Sequence, residues 1–197
     1  MNILIDQLST ILKDRIGNIE FNTDFRTSIL FEMMMMDRKI SKEDKVANAI
    51  LLYYPNPKEI KDISKAIDDI LWFYSCRRIE DLNSTENKKK SKNKSGKNTN
   101  IYDYEYDDGY IYSAFLQQYG IDLQDIDYLH WWKFKAMFNS LSSDTKIVEI
   151  MEYRSIDLGQ IQDKKEKAKY KKLKEIYRLP DMRTEEEKEN DFGSSLW

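Results

Sequence analysis

In 197 residues the sequence has one cysteine, one histidine, three prolines and six glycines. With Cys76 alone, an intramolecular disulfide and any cysteine-cluster metal site are excluded, and a reducing compartment suits the chain. His130, without cysteines, leaves only carboxylates to complete a metal site, and these favour weakly selective hard cations. Long hydrophobic runs are missing too: no window approaches the roughly 18 apolar residues that a membrane span needs. The start, MNILIDQLSTILKDR, places Asp6 early and has no apolar run of signal-peptide length, so neither export nor a membrane is expected and the cytoplasm is the expected location. Nor does either sign of charge dominate. Lys+Arg 32 against Asp+Glu 35 gives a net charge of -3 and a pI near 5.4, which supplies no global basic field to draw the protein onto nucleic acid or anionic lipid.

What is present favours helices. Charged residues at 34% and hydrophobic ones at 41%, with little glycine or proline, suit long helices with solvated faces better than a turn-rich sandwich. The expectation is an all-α single domain of about six to seven helices over residues 1–180. A lysine-rich loop expected to be disordered interrupts it at about 83–100, and an acidic tail expected to be flexible follows at 181–197. "RIGNIEFNTDF" carries Gly17-Asn18 between alternating residues and reads as a small N-terminal β-hairpin. Asn22 or Thr23 then caps a helix from Asp24, and "SKED" at 41–44 resembles a capping box opening a helix that Pro55 ends. In "PKEIKDISKAIDDILWFY" Pro57 suits a first turn, and Ile60, Ile63, Ile67, Ile70, Leu71 and Tyr74 share one face. Gly120 closes a helix through Tyr119. Further helices are expected over about 125–141, after Asp144, and over about 160–178.

The densest stretch is "LHWWKFKAMF" at 129–138. On a helix, Trp131, Phe134, Phe138 and Leu141 make one stripe, while Leu129, Trp132 and Ala136 make another on the far side. A helix with two apolar stripes packs on both, so Trp131, Trp132, Phe134, Phe138 and Leu141 are assigned to the core. At the boundary, His130 is expected to hydrogen-bond a carboxylate or a carbonyl. Two other features do not fit a single core. The run Met33, Met34, Met35 and Met36 cannot all face one neighbour, and Trp72 projects among Lys61, Lys65 and Asp68, off its own helix's stripe. These five residues are the candidates for contact with a partner, since methionine adapts its shape to many surfaces.

Reactive chemistry finds little support. No local pattern joins Cys76 or a serine to His130 with a third orienting group. "GNIEFNTDF" lacks the glycines and the Lys-Ser/Thr ending of a phosphate loop. The acidic "YDYEYDDGY" at 102–110 reads as a solvated helix start as readily as a cation site. "NKKKSKNKSGK" has six lysines but neither the stacking aromatics nor the arginines of a base-reading element. No cofactor, metal site, catalytic residue or nucleic-acid partner is therefore expected.

Five segments, "FNTDFRTSILFEMMMMD" at 21–37, "AIDDILWFY" at 66–74, "YIYSAFLQQYGIDL" at 110–123, "LHWWKFKAMFNSL" at 129–141 and "YRSIDL" at 153–158, occur in this order. Together they resemble the family of siphophage proteins named for gene product fifteen, over about residues 17–180. The 83–100 segment and the end past Pro180 lie outside the resemblance. It implies a small, mostly helical protein of phages and prophages, encoded beside the tape-measure gene. By that position the resemblance implies a tail assembly chaperone, a non-enzymatic protein that shields the tape-measure protein in the host cytoplasm or aids tail-tube assembly. Partners implied are the tape-measure protein, other tail proteins or further copies of the chain. The alternative is a structural tail or tail-completion component of the virion. An enzyme acting through His130 and the Asp103–Asp108 cluster is the remaining, weaker reading.

Overall fold

The computed structural model describes residues 5, 7–76 and 101–181, and eight α-helices form among them. In chain order these are α1 (Leu8–Ile16), α2 (Phe25–Met36), α3 (Lys42–Tyr53), α4 (Ile63–Tyr74), α5 (Asp108–Tyr119), α6 (Trp131–Asn139), α7 (Lys146–Ser155) and α8 (Lys164–Ile176). The class is all-α, with one or two more helices than expected because the stretch before Gly17 forms one of its own. The lysine-rich segment at 83–100 and the tail beyond Asp181 lie outside the described residues.

Local chemistry sets the helix ends. Ser41 Oγ accepts the Asp44 amide at 3.1 Å and donates to the Asp44 carboxylate at 2.7 Å, so both groups at the start of α3 are satisfied reciprocally. Asp62 and Asp163 accept the amides of Lys65 and Glu166 and open α4 and α8. Tyr54 is extended, as a residue before proline is biased to be, and α3 stops there. Pro57 begins a short 3-10 turn, Pro57–Glu59, rather than α4 itself. Gly120, at φ +64°, ends α5 with its amide on the Leu116 carbonyl.

The expected N-terminal hairpin does not form. Ile16 is buried as the last residue of α1, and Gly17, at φ +84°, returns its amide to Lys13 as a helix stop. A left-handed glycine serves either purpose. Residues 18–23 find no strand to pair with, and no strand forms among the described residues. An isolated antiparallel bridge joins Asp24 to His130 instead.

Contacts gather the chain into two compact units, Met1–Gly96 with Phe115–Leu141, and Lys97–Ala114 with Ser142–Trp197. In the first unit α2 packs on α3 and α6, and α3 on α4. Its core is a connected series of rings. Phe134 stacks on both Phe25 and Phe115 at 4.9 Å, Trp131 joins Phe134 to Tyr74, and Phe31, Tyr53, Phe21 and Phe73 continue the series to Trp132. Each aromatic side chain carries about 150–250 Å² of surface, so such a series dominates the burial that stabilises the unit. Helix α4 turns Ala66, Asp69, Ile70 and Phe73 inward and leaves Ile63 and Leu71 exposed, a face rotated from the isoleucine stripe.

In the second unit α7 packs on α8, with Ile147 and Ile150 buried. Arg154 organises its polar interior. The guanidinium meets Asp107 through two hydrogen bonds of 2.6 and 2.9 Å and also donates to the carbonyls of Tyr177 and Ile101. Both charges are buried, and the bidentate geometry with added carbonyls offsets the cost of desolvating them.

Candidate functional site

Helix α2 is inverted in its polarity. It buries Phe25, Thr27, Ser28 and Phe31, and Ser28 shares a 2.9 Å hydrogen bond with the Tyr53 hydroxyl. At 100° per residue, Ile29, Leu30, Met33 and Met36 project from the opposite side. Of the methionine run, Met33 and Met34 are half-buried, while Met35 and Met36 are 44% and 50% exposed; Leu30 is 52% exposed. The Ser28 hydroxyl goes inward, where the Tyr53 hydroxyl meets it, and the outward side is left apolar.

Trp72 is half-buried, with its ring edge-on to Trp132 at 5.5 Å and the Arg15 guanidinium 5.7 Å from its centre. Two residues further on, Tyr74 contacts Phe31 and hydrogen-bonds Glu32 of α2. Residues two apart on a helix point about 200° apart, so Trp72 faces α1 and α6 while the methionines continue the helix on the Tyr74 side. The five candidate residues therefore lie on different sides of α4.

The five residues assigned to the core are all buried, Trp131 and Phe134 completely. The two indoles have a second use. Trp131 Nε1 donates to the Tyr74 carbonyl at 2.8 Å and Trp132 Nε1 to the Phe73 carbonyl at 2.7 Å. Carbonyls at a helix C-terminus lack partners within the helix, and here the first two residues of α6 supply them to α4. Ala136, expected on a second buried stripe, is exposed.

Helix α6 begins at Trp131 rather than near Asp125, because the preceding residues are held in another conformation. Phe25 donates its amide to the Leu129 carbonyl and Trp131 donates to the Thr23 carbonyl, both at 2.9 Å. These bonds place Asp24 and His130 side by side, each as an N-cap. Asp24 accepts the amides of Arg26 at 2.9 Å and Leu129 at 3.2 Å. Arg26, with its guanidinium 4.6 Å from the centre of the Phe25 ring, donates to the carbonyls of Leu123 and Ile126. Asp24 and Arg26 were not singled out from the sequence. The signal was the acid just before Phe25, which Asn22 and Thr23 masked as equally good caps.

His130 is 4% exposed, and its partner differs from the carboxylate or carbonyl expected of it. Nδ1 accepts the Trp132 amide at 3.1 Å, and the ring stands edge-on to Phe73 and Trp132. Nε2 has no hydrogen-bond partner among the described residues. Burial, aided by the Lys133 charge, lowers its pKa to about 4, so the ring is neutral at pH 7.

The acidic stretch at 102–110 is absorbed into structure. Asp103 Oδ1 accepts the amides of Glu105 and Tyr106, and Asp107 is engaged by Arg154. Among the described residues no group of three or more histidine, cysteine or acidic side chains could hold a metal ion. No helix among them is long and apolar enough to cross a membrane.

Helices joined through an aromatic core, with an apolar helix face left open, define a helical protein whose visible chemistry is packing and contact. Residues 4–179 match the family described as Bacteriophage Gp15 protein, and the chain belongs to that family. No curated protein and no solved structure matches it.

Proposed function

We propose that this phage protein is a tail assembly chaperone-like binding protein that works by contact rather than catalysis. Its client is the tape-measure protein, shielded in the host cytoplasm until tail-tube subunits replace the chaperone. The observation that carries the reading is the apolar outward side of α2, where Leu30 and Met36 are about half exposed, continued at the end of the helix by Met35, which is 44% exposed although it follows the line of Phe31. A holdase needs apolar area that adapts to many side chains and releases them again, and unbranched, polarisable methionines supply that. The same side offers a surface for a second copy of the chain or for other tail proteins. Trp72, on the other side of α4, is a separate contact point.

Co-expression with a fragment of the tape-measure protein from the same phage tests the client. The fragment's soluble yield should rise, and an unchanged yield counts against the reading. Mass spectrometry of purified phage separates it from the structural alternative. A chaperone is absent from the particle or far below stoichiometric amounts, whereas a tail-tube or tail-completion component is present at a defined copy number.

A further inference from the structure

A cleft of about 770 Å³ opens between α1, residues 17–23 and the start of α6, within the first unit. That volume is in the range of small-molecule pockets. Its apolar wall includes Leu12, Ile16, Ile19 and Phe21. Lys13 and Lys133 also line it, and among the described residues no carboxylate does. Neither lysine has an ion-pair partner among the described residues.

His130 lines the same cleft and is nine-tenths buried. Its cap decides what it offers. Because Nδ1 accepts the Trp132 amide, its lone pair is in use and the proton of the neutral ring sits on Nε2. Nε2–H is thus a buried donor with no acceptor among the described residues. Buried donors are ordinarily paired, and this one lacks only an oxygen.

We propose that the cleft binds a small organic acid, a single carboxylate on an apolar body. The carboxylate accepts from His130 Nε2–H and lies in the field of Lys13 and Lys133, while the apolar body covers Leu12, Ile16 and Phe21. One buried donor and two lysines match a singly charged group, and the aliphatic wall matches hydrocarbon rather than sugar. A neutral carbonyl compound would satisfy the imidazole and leave the two cations unused. The proposal does not depend on the tail-assembly reading.

The test is a titration of the full chain, followed through the imidazole nitrogen and proton resonances of His130. Octanoate and N-acetylphenylalanine serve as ligands, separating an aliphatic acid from a peptide C-terminus, and octanol is the uncharged control. Saturable movement of the His130 signals by either acid is expected, with octanol weaker by about tenfold or more. Lys133→Glu, a change at an exposed position, should weaken the acid by a similar factor, and Lys13→Glu likewise. His130→Asn keeps a good cap acceptor while removing Nε2–H, and should abolish the preference for acid over alcohol. If neither acid moves the signals at about millimolar concentration, a water satisfies Nε2 and the proposal is overturned. Equal binding of octanol and octanoate, or full affinity in Lys133→Glu, overturns it as well.

Discussion

His130 accepts a backbone amide through Nδ1, so protonating the ring would remove the cap and place a charge among Phe73 and Trp132. The folded protein therefore resists the proton, and the pKa falls from its ordinary 6.5 to about 4. Between those values the unfolded chain takes up a proton that the folded chain refuses, which favours unfolding. Stability from this residue is level above about pH 6.5 and falls as the pH drops toward 4, by an amount on the order of 3 kcal/mol in all. Urea midpoints measured from pH 7 to pH 4 should show this decline, and His130→Asn, which has nothing to titrate there, should remove that part of it. An identical decline in the variant would show that other groups cause it. Part of this residue was legible in the sequence: a lone histidine between a leucine and two tryptophans is a structural residue more readily than a catalytic one. Its capping role was not, because it depends on Thr23 and Phe25 meeting residues more than 100 positions away.

Among the elements, a local cap and a capping hub should differ in strength. Ser41 serves only the start of α3, its hydroxyl meeting the Asp44 amide and carboxylate in the open. Ser41→Ala is expected to cost about 1 kcal/mol. Asp24 caps α2, accepts the Leu129 amide and pairs with Arg26, so it also holds the start of α6. Removing it leaves two part-buried amides, Arg26 in α2 and Leu129 just before α6, without this acceptor, and Asp24→Ala should cost about 2–4 kcal/mol. Chemical denaturation of the two variants decides this, and equal losses would reduce Asp24 to an ordinary cap. The contrast also explains which elements could be read in advance. The start of α3 is written in four consecutive residues, and the end of α5 in one glycine. The start of α6 depends on long-range bonds that override the helical pattern from Asp125. The rotated face of α4 depends on Arg15 and Lys65 meeting Asp69, which draws an acid inward and leaves Ile63 exposed.

For the molecule as a whole, the all-α class follows from composition and spacing, because few glycines and prolines and many amphipathic stretches leave little else. Surface function is harder to read, since a methionine run looks the same whether it is packed or open. The structure separates the four: Met33 and Met34 are half-buried, and Met35 and Met36 are about half exposed. This gradient gives the proposed client contact a test that a folding defect cannot imitate. Met35→Glu and Met36→Glu together place charge where side chains already meet water, so the unfolding free energy should stay within about 0.5 kcal/mol of the parent's. The solubilising effect on a co-expressed tape-measure fragment should nonetheless fall severalfold, because a carboxylate disfavours apolar contact at the exposed C-terminal end of that surface. Phe31→Ala, on the buried side of the same helix, should do the reverse in order: it destabilises by about 3–5 kcal/mol and lowers the soluble yield of the protein itself. If the double glutamate variant solubilises the fragment as well as the parent does, the outward side of α2 is not where the client binds.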